Sequence, residues 1–171
     1  MTYTKEDYNS NNGMLTTVWG PPLWHFLHLM SFNYPVNPTK KQKSDYKRFI
    51  CDLRNVLPCK TCRDNFTKHL EKNPIDDAMK NRKTFSRYVY CMHEKINKYL
   101  GKESGLTYKV VKERYEHFRS RCGKKTMKTK NKKEGCSVAF KDQKKTRTLL
   151  SIVPSTKRCK TLKIDKKCWK K

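Results

Sequence analysis

Cys59 and Cys62, separated by two residues, are the side chains of this chain best suited to covalent chemistry. At the start of a helix this spacing lets the two sulfurs reach each other. The positive end of the helix dipole also favours the thiolate, the form that carries out thiol–disulfide exchange. Pro58 is well suited to ending a preceding helix at that point. The pair is therefore a candidate redox dithiol, and the alternative is half of a zinc site.

The zinc alternative requires two more ligands at close spacing, and the sequence has no second CxxC motif. Cys91 and His93 are the nearest candidates, although a single intervening residue is unusual. A thioredoxin-like motif would follow a strand in a βαβ unit, which the surrounding pattern does not provide. The competing hypothesis for function is therefore a zinc-stabilised basic module that binds nucleic acid.

A second set of polar and aromatic side chains is expected on two helices. Trp24 and His28 are four residues apart, as are His93 and Asn97, so each pair shares one face of its helix. A single pair of this kind more often consists of core side chains whose polar atoms have hydrogen-bond partners within the protein. Two pairs on helices that should pack together indicate a pocket for a flat polar ligand.

The elements that must position these residues all have a helical apolar period. A capping-box pattern starts the second helix, Pro58 ends it, and Gly101 is placed to end the fourth. The predicted helices are, in chain order, Leu23–Tyr34, Thr39–Leu57, Cys59–Asn73, Phe85–Leu100 and a short one from about Thr107. This pattern predicts an all-α fold, a four-helix bundle with a short fifth helix.

Composition divides the 171 residues into unequal parts. Residues 1–122 contain 17 of the 19 aromatic residues, whereas residues 123–171 contain 18 Lys and Arg against three Asp and Glu. We expect a flexible segment over 1–16, a bundle over 17–122 and a disordered Lys-rich tail over 123–171. The whole chain has a net charge of +26, and its Lys-rich tail is a candidate for salt-sensitive contact with nucleic acid or an acidic partner.

The expected location is the cytoplasm. No apolar stretch approaches the roughly 20 residues that span a bilayer, and the polar N-terminus has no apolar core of a signal peptide. In a reducing compartment, eight cysteines are more often used for metal binding or redox chemistry than for a disulfide scaffold.

Several motifs in one order and at one set of spacings resemble the Erv/ALR family of FAD-linked sulfhydryl oxidases. The resemblance covers roughly residues 18–118. Its motifs are Trp24-x-x-x-His28, Tyr34-Pro35, Leu57-Pro58-Cys59-x-x-Cys62-Arg63 and His93-x-x-Ile96-Asn97-x-x-Leu100-Gly101-Lys102. The Trp-Gly-Pro-Pro opening at Trp19 resembles the short members encoded by large DNA viruses, which implies the host cytoplasm or the virion.

The resemblance implies a bundle that holds FAD at its open end, usually as a homodimer, and passes electrons from protein thiols to O₂ to give hydrogen peroxide. Cys59 would be the interchange cysteine, and Cys62 would lie against the flavin. No metal site is implied. The implied FAD-binding residues are Gly20, Pro21, Trp24, His28, Tyr34, His93, Ile96, Asn97, Lys102 and Tyr115.

The chain departs from the family pattern in two ways. Glu94 stands where the family usually has Asn, and a buried carboxylate there would need a partner or a proton. Tyr90 and Tyr108 occupy the positions of a disulfide that many relatives carry. Relatives also commonly have a cysteine pair on a flexible arm. The shuttle candidates here are Cys159 with Cys168, or Cys122 with Cys136, and the alternative is that these thiols are incidental.

Overall fold

The computed structural model describes residues 3–121, 138–139, 146–154, 156 and 165. Within them the chain forms six α-helices, one 3-10 helix and one pair of short strands. In order these are α1 (Lys5–Asn9), α2 (Thr16–Asn33), α3 (Lys40–Val56), α4 (Lys60–Lys72), the 3-10 helix (Asp76–Lys80), α5 (Arg82–Tyr99), α6 (Tyr108–Glu116), β1 (Ser120–Arg121) and β2 (Val138–Ala139). The chain divides into two compact units, Met1–Gly105 and Leu106–Lys171.

The first unit is a bundle of the four long helices. α2 packs against α5, while α3 packs against α4 and the 3-10 helix, which also contacts α5. The most deeply buried apolar side chains come from α3, α5 and the end of α2, namely Tyr34, Ile50, Phe85 and Val89. The predicted all-α four-helix bundle is confirmed.

Local sequence explains where the bundle helices begin. Thr39 and Asn81 form capping boxes with the residues three positions later, which start α3 and α5. α4 begins immediately after Cys59, whose sulfur accepts a hydrogen bond from the backbone of Cys62. The starts of α3 and α4 agree with the sequence patterns, whereas α5 begins at Arg82, before the predicted Phe85. α2 begins earlier than its apolar stripe indicated and includes two prolines, Pro21 and Pro22.

The second unit contains the predicted short fifth helix, α6. The side chain of Thr107 caps it, Val111 and Tyr115 are buried, and the Tyr115 ring lies edge-on to Phe118 at 6.0 Å. β1 and β2 pair antiparallel, with Ser120 opposite Ala139. The sequence analysis missed this ladder because two-residue strands are too short to show an alternating pattern.

The predicted division into residues 1–16, 17–122 and 123–171 stays a prediction. Near the N-terminus, Thr4 and Asp7 form a capping box that starts α1, and Asn12 and Met14 are hydrogen-bonded to the backbone around Cys59. The first compact unit ends at Gly105, and the second begins at Leu106. Gly105, at a positive φ of 64°, lies in a stretch without regular structure just before α6.

Within the part of the chain that the structure describes, no helix has the length and apolarity to cross a lipid bilayer. Cys122, Cys136, Cys159 and Cys168 lie outside the described residues.

Candidate active site

Cys59 and Cys62 form a disulfide at the N-terminus of α4, with their Cα atoms 5.1 Å apart. Cys59 is the N-cap residue in extended conformation, and its Sγ accepts a hydrogen bond of 3.2 Å from the backbone N–H of Cys62. Both cysteines are half-buried. The first of the two sulfurs therefore lies at the positive end of the helix dipole, where negative charge on sulfur is stabilised.

The chain around this disulfide is fixed by its own backbone. The N–H of Cys59 donates to the carbonyl of Leu57 at 2.8 Å, and the carbonyl of Cys59 accepts from the N–H of Arg63 at 3.0 Å. The Arg63 guanidinium also donates to the Leu57 carbonyl at 2.6 Å. Leu57 is buried in the core, and Cys62 packs against the same core. The disulfide is thus anchored on one side and accessible on the other.

Three aromatic side chains from α2 and α5 form a compact cluster. The Trp24 and His93 rings are stacked, with centroids 4.1 Å apart and planes 5° apart. Nε2 of His28 and Nδ1 of His93 are 3.0 Å apart, so one nitrogen donates and the other accepts. The helix faces that carry Trp24/His28 and His93/Asn97 were expected to meet. The structure brings Trp24, His28 and His93 together in this way.

Both imidazoles of the cluster are held neutral. Burial, followed by repulsion from His93 and His25, lowers the pKa of His28 to about 3. Burial also lowers the pKa of His93 to about 4, although the nearby carboxylate of Glu94 acts in the opposite direction. At neutral pH the cluster therefore presents uncharged aromatic rings with hydrogen-bonding nitrogens.

The end of α5 satisfies the unusual carboxylate at position 94. Oε1 of Glu94 accepts from the Asn97 side chain at 3.3 Å, and Oε2 accepts from the Ser104 hydroxyl at 2.9 Å. The backbone N–H of Lys102 donates to the carbonyl of Asn97 at 2.8 Å, which turns the chain back over the helix end. Ile96 is half-buried and packs against the core.

Open space lies beside the cluster on α2. Gly20 is one turn before Trp24, and a Cβ atom built there would meet nothing within 4 Å. Pro21 is half-buried next to it. Uncharged stacked rings, an adjacent open face and the amide of Asn97 are features that suit a flat, polar-edged ring system. The residues present therefore fit a cofactor of the flavin or adenine type.

The structure also shows the surroundings of two further sequence-predicted residues, Tyr34 and Tyr115, whose contact with a cofactor stays a prediction. Tyr34 is fully buried in the bundle core, where its hydroxyl donates to the Met79 carbonyl at 3.0 Å and its ring packs against Tyr46 and Phe85. The structure gives it a packing role that the motif did not indicate. Tyr115 belongs to the second unit, where burial raises the pKa of its phenol.

Among the described residues, Cys51 and Cys91 carry free thiols. No group of three or more His, Cys, Asp and Glu side chains in that part of the chain is arranged to hold a metal ion.

Sequence reasoning missed one segment that lies against the backbone of this site. Residues Asn12–Met14 lie along Pro58–Lys60, and Gly13 pairs with Cys59 in an antiparallel bridge. These contacts are between backbones, which leave almost no trace in residue type. Gly13, with a positive φ of 112°, is the single sequence signal.

A helical bundle with a disulfide-bonded CxxC pair at a helix N-terminus, and a neutral aromatic cluster on two other helices, defines a class of helical thiol–disulfide redox protein. Comparison with known proteins assigns the family. The family model described as Erv1 / Alr matches residues 21–116. The chain therefore belongs to the Erv1 / Alr family.

Individual relatives agree with this assignment. The chain is 38% identical over 91 residues to a probable FAD-linked sulfhydryl oxidase of Acanthamoeba polyphaga mimivirus, a match that covers 53% of this chain and 63% of that protein. It is 32% identical over 85 residues to an FAD-linked sulfhydryl oxidase of African swine fever virus, covering 50% of this chain and 70% of that protein. The match thus spans less than two thirds of the mimivirus relative.

A solved structure agrees in fold. The FAD-binding domain of Erv1 from Saccharomyces cerevisiae superposes with a TM-score of 0.53 at 28% identity, covering 57% of this chain and 90% of that one. Family and fold together favour the oxidase hypothesis over the zinc-stabilised nucleic-acid-binding module.

Proposed function

We propose that this protein is an FAD-dependent sulfhydryl oxidase that forms disulfides in protein substrates and reduces O₂ to hydrogen peroxide. The observation that carries the proposal is the Cys59–Cys62 disulfide at the N-terminus of α4, in a chain of the Erv1 / Alr family. A substrate dithiol loses two electrons and two protons, and O₂ gains both. The relatives named as FAD-linked sulfhydryl oxidases support this reaction class.

Cys59 is the interchange cysteine in this mechanism. A substrate thiolate attacks its Sγ, which forms a mixed disulfide and breaks the Cys59–Cys62 bond, so that the electron pair moves to Cys62. A second substrate thiolate then attacks the substrate sulfur of the mixed disulfide and releases Cys59 as a thiolate. The backbone N–H of Cys62, which points at Cys59 Sγ, and the helix dipole stabilise that leaving group.

FAD, when bound, would accept the electron pair from Cys62 and return it to O₂. Trp24, His28 and His93 would supply neutral aromatic surface and hydrogen-bonding nitrogens, and Gly20 with Pro21 would leave room beside them. Lys102 would place a positive charge near the phosphates, and the role of Tyr115 at the cofactor stays a prediction from the family resemblance. Ile96 and Asn97 on α5 would complete the adenosine side.

A homodimer is part of the proposal. Phe26 on α2 and Phe49 on α3 are 50% and 40% exposed, yet their rings contact each other at 6.1 Å. An exposed aromatic pair on two adjacent bundle helices is a suitable centre for an interface between two copies.

The basic tail would serve protein substrates or acidic partners. Cys159 and Cys168 remain the candidate shuttle pair, with Cys122 and Cys136 as the alternative. The positive charge of the tail supports contact with nucleic acid or an acidic protein. The proposed location is the cytoplasm, or the virion if the chain is viral.

Oxygen uptake with dithiothreitol tests the proposal. Cys59→Ser and Cys62→Ser should each reduce uptake to background while FAD remains bound, because the bundle and its aromatic cluster do not depend on the disulfide. Cys91→Ser, which changes an exposed free thiol of the same fold, should keep wild-type uptake. Wild-type uptake in either of the first two variants would show that the CxxC pair is structural.

A further inference from the structure

The segment Asn12–Met14 forms a strap along the backbone next to the redox disulfide. The N–H of Met14 donates to the Pro58 carbonyl at 2.7 Å, and the N–H of Lys60 donates to the Asn12 carbonyl at 3.1 Å. Gly13 stands opposite Cys59 in this antiparallel bridge. The strap therefore covers the main chain on both sides of the interchange cysteine.

In the described structure, two main-chain groups of Pro58–Lys60 have no hydrogen-bond partner in their own loop or in α4. The strap bonds to both of them. Cys59 uses its own N–H and carbonyl within the chain, bonded to Leu57 and Arg63. Lys60 is the first residue of α4, so its N–H has no acceptor within the helix. The Pro58 carbonyl and the Lys60 N–H thus form a short edge with one acceptor and one donor.

Gly13 is required for this close approach. A Cβ atom at position 13 would lie 2.5 Å from the Pro58 carbonyl oxygen and 2.7 Å from the Cα atom of Cys59, and the φ of +112° also disfavours any other residue. A substitution at Gly13 therefore separates the strap from the edge while every atom of the disulfide stays unchanged.

The strap is held weakly. Residues 3–18 are all exposed, and α1 has no buried residue. Besides the two backbone bonds, its fixed point is the indole N–H of Trp19, which donates to the Met14 carbonyl at 3.1 Å. Two net backbone hydrogen bonds favour the closed form by about tenfold to a hundredfold, so another chain can compete for the edge.

We propose that the Pro58–Lys60 edge is the docking site for an extended, cysteine-bearing segment of the polypeptide substrate, and that Asn12–Met14 occupies this edge until the substrate displaces it. The inference rests on the proposed oxidase function. An extended segment paired with this edge by strand addition lies beside Cys59, where its own thiolate must attack. The substrate carbonyl replaces that of Asn12, and its N–H replaces that of Met14.

The chemistry that recognises the substrate is then its main chain. The segment must be extended and must place a glycine opposite Cys59, because a Cβ atom at the Gly13 position would lie 2.5 Å from the Pro58 carbonyl oxygen. Its cysteine lies next to that glycine, and the flanking amide N–H and carbonyl must be free. A small dithiol has neither group, so it reaches the disulfide without gaining anything from the edge. The strap consequently lowers activity towards polypeptides and leaves the activity towards small dithiols nearly unchanged.

Three substrates test this on the full-length protein. They are dithiothreitol, a Thr- and Ser-rich peptide with two cysteines and a glycine next to the first of them, and the same peptide with the amide that follows this glycine N-methylated. Gly13→Ala should raise kcat/KM for the unmodified peptide by about tenfold and leave dithiothreitol within about twofold. The N-methylated peptide should be slow with both proteins.

Two further variants keep the result interpretable. Gly105→Ala, at a glycine with a positive φ whose Cβ would meet nothing within 4 Å, should behave as wild type and controls for backbone strain alone. A chain beginning at Leu15 should reproduce the effect of Gly13→Ala without any strain. Equal kcat/KM for the two peptides in wild type and variants would overturn the proposal. A parallel loss of activity with dithiothreitol and with peptide would also overturn it, because the strap would then be a structural support for Cys59.

A readout without redox chemistry separates this inference from the oxidase function. A peptide with serines in place of cysteines should displace the strap and shift the Trp19 indole N–H resonance, because that group loses the Met14 carbonyl. If oxygen uptake is absent but the resonance shifts, the docking edge stands and the oxidase proposal fails. If uptake is present but saturating serine peptide leaves the Trp19 resonance in place, the docking edge is wrong.

Discussion

Acid should destabilise the folded chain through the paired imidazoles of His28 and His93. Burial lowers the pKa of His28 to about 3 and that of His93 to about 4, against an ordinary value of 6.5. Between pH 6.5 and 4 the unfolded chain therefore binds protons that the folded chain does not. The contribution of the neutral pair to the free energy of unfolding is complete above pH 6.5 and is lost as the pH falls below that value.

The size of the effect follows from the pKa difference. pH 5 is about 1.5 units below the unfolded-state pKa of each histidine. The free energy of unfolding therefore falls by about 2 kcal/mol per group, with an upper limit of about 4 kcal/mol for the pair. His25 contributes repulsion to His28, and Glu94 partly offsets the shift of His93.

Urea unfolding of the FAD-saturated protein at pH 7 and pH 5 measures this loss. His28→Asn keeps a side chain that can hydrogen-bond to His93 but removes one titrating group. Its loss of stability between the two pH values should be smaller than that of wild type by about 2 kcal/mol. Equal losses in wild type and His28→Asn would refute the reasoning.

Four other changes have expected outcomes. Phe85→Ala, at a fully buried ring, should lower the free energy of unfolding by about 3–5 kcal/mol, and Phe49→Ala, at a ring 40% exposed, by about 1 kcal/mol or less in urea unfolding of the monomer. Tyr34→Phe should lower the free energy of unfolding by about 1–2 kcal/mol, because it removes the hydrogen bond to the Met79 carbonyl. It should leave the dissociation constant for FAD unchanged, since the ring lies in the core. Weaker FAD binding at unchanged stability would instead place Tyr34 at the cofactor site. Truncation after residue 122 should preserve FAD absorbance and dithiothreitol oxidation, and slower oxidation of a reduced protein would identify the tail as an electron-collecting arm.

The helices and the CxxC pair were predictable because they depend on local sequence. Thr39 with Gln42 specifies a helix start by itself, and the apolar period of α5 is readable without knowing its neighbours. The meeting of Trp24 with His93 also followed, since both lie on one face of helices that must pack together in a bundle.

The rest depended on long-range backbone contacts or on burial. The pairing of Asn12–Met14 with Pro58–Lys60 joins main-chain atoms across more than 40 residues, and main-chain partners are not encoded in side-chain type. Tyr34 matched a motif position, but its burial among Tyr46 and Phe85 depends on how α2, α3 and α5 close together. The partners of Glu94 include Ser104, beyond the end of its helix.

The visible spectrum of the purified full-length protein tests the central claim most directly. The account predicts flavin bands with about one FAD per chain, because the α2–α5 cluster and the open face at Gly20 suit the ring system. Anaerobic dithiothreitol should bleach these bands in wild type and leave them in Cys62→Ser. A folded protein without flavin absorbance that does not bind added FAD would contradict the claim.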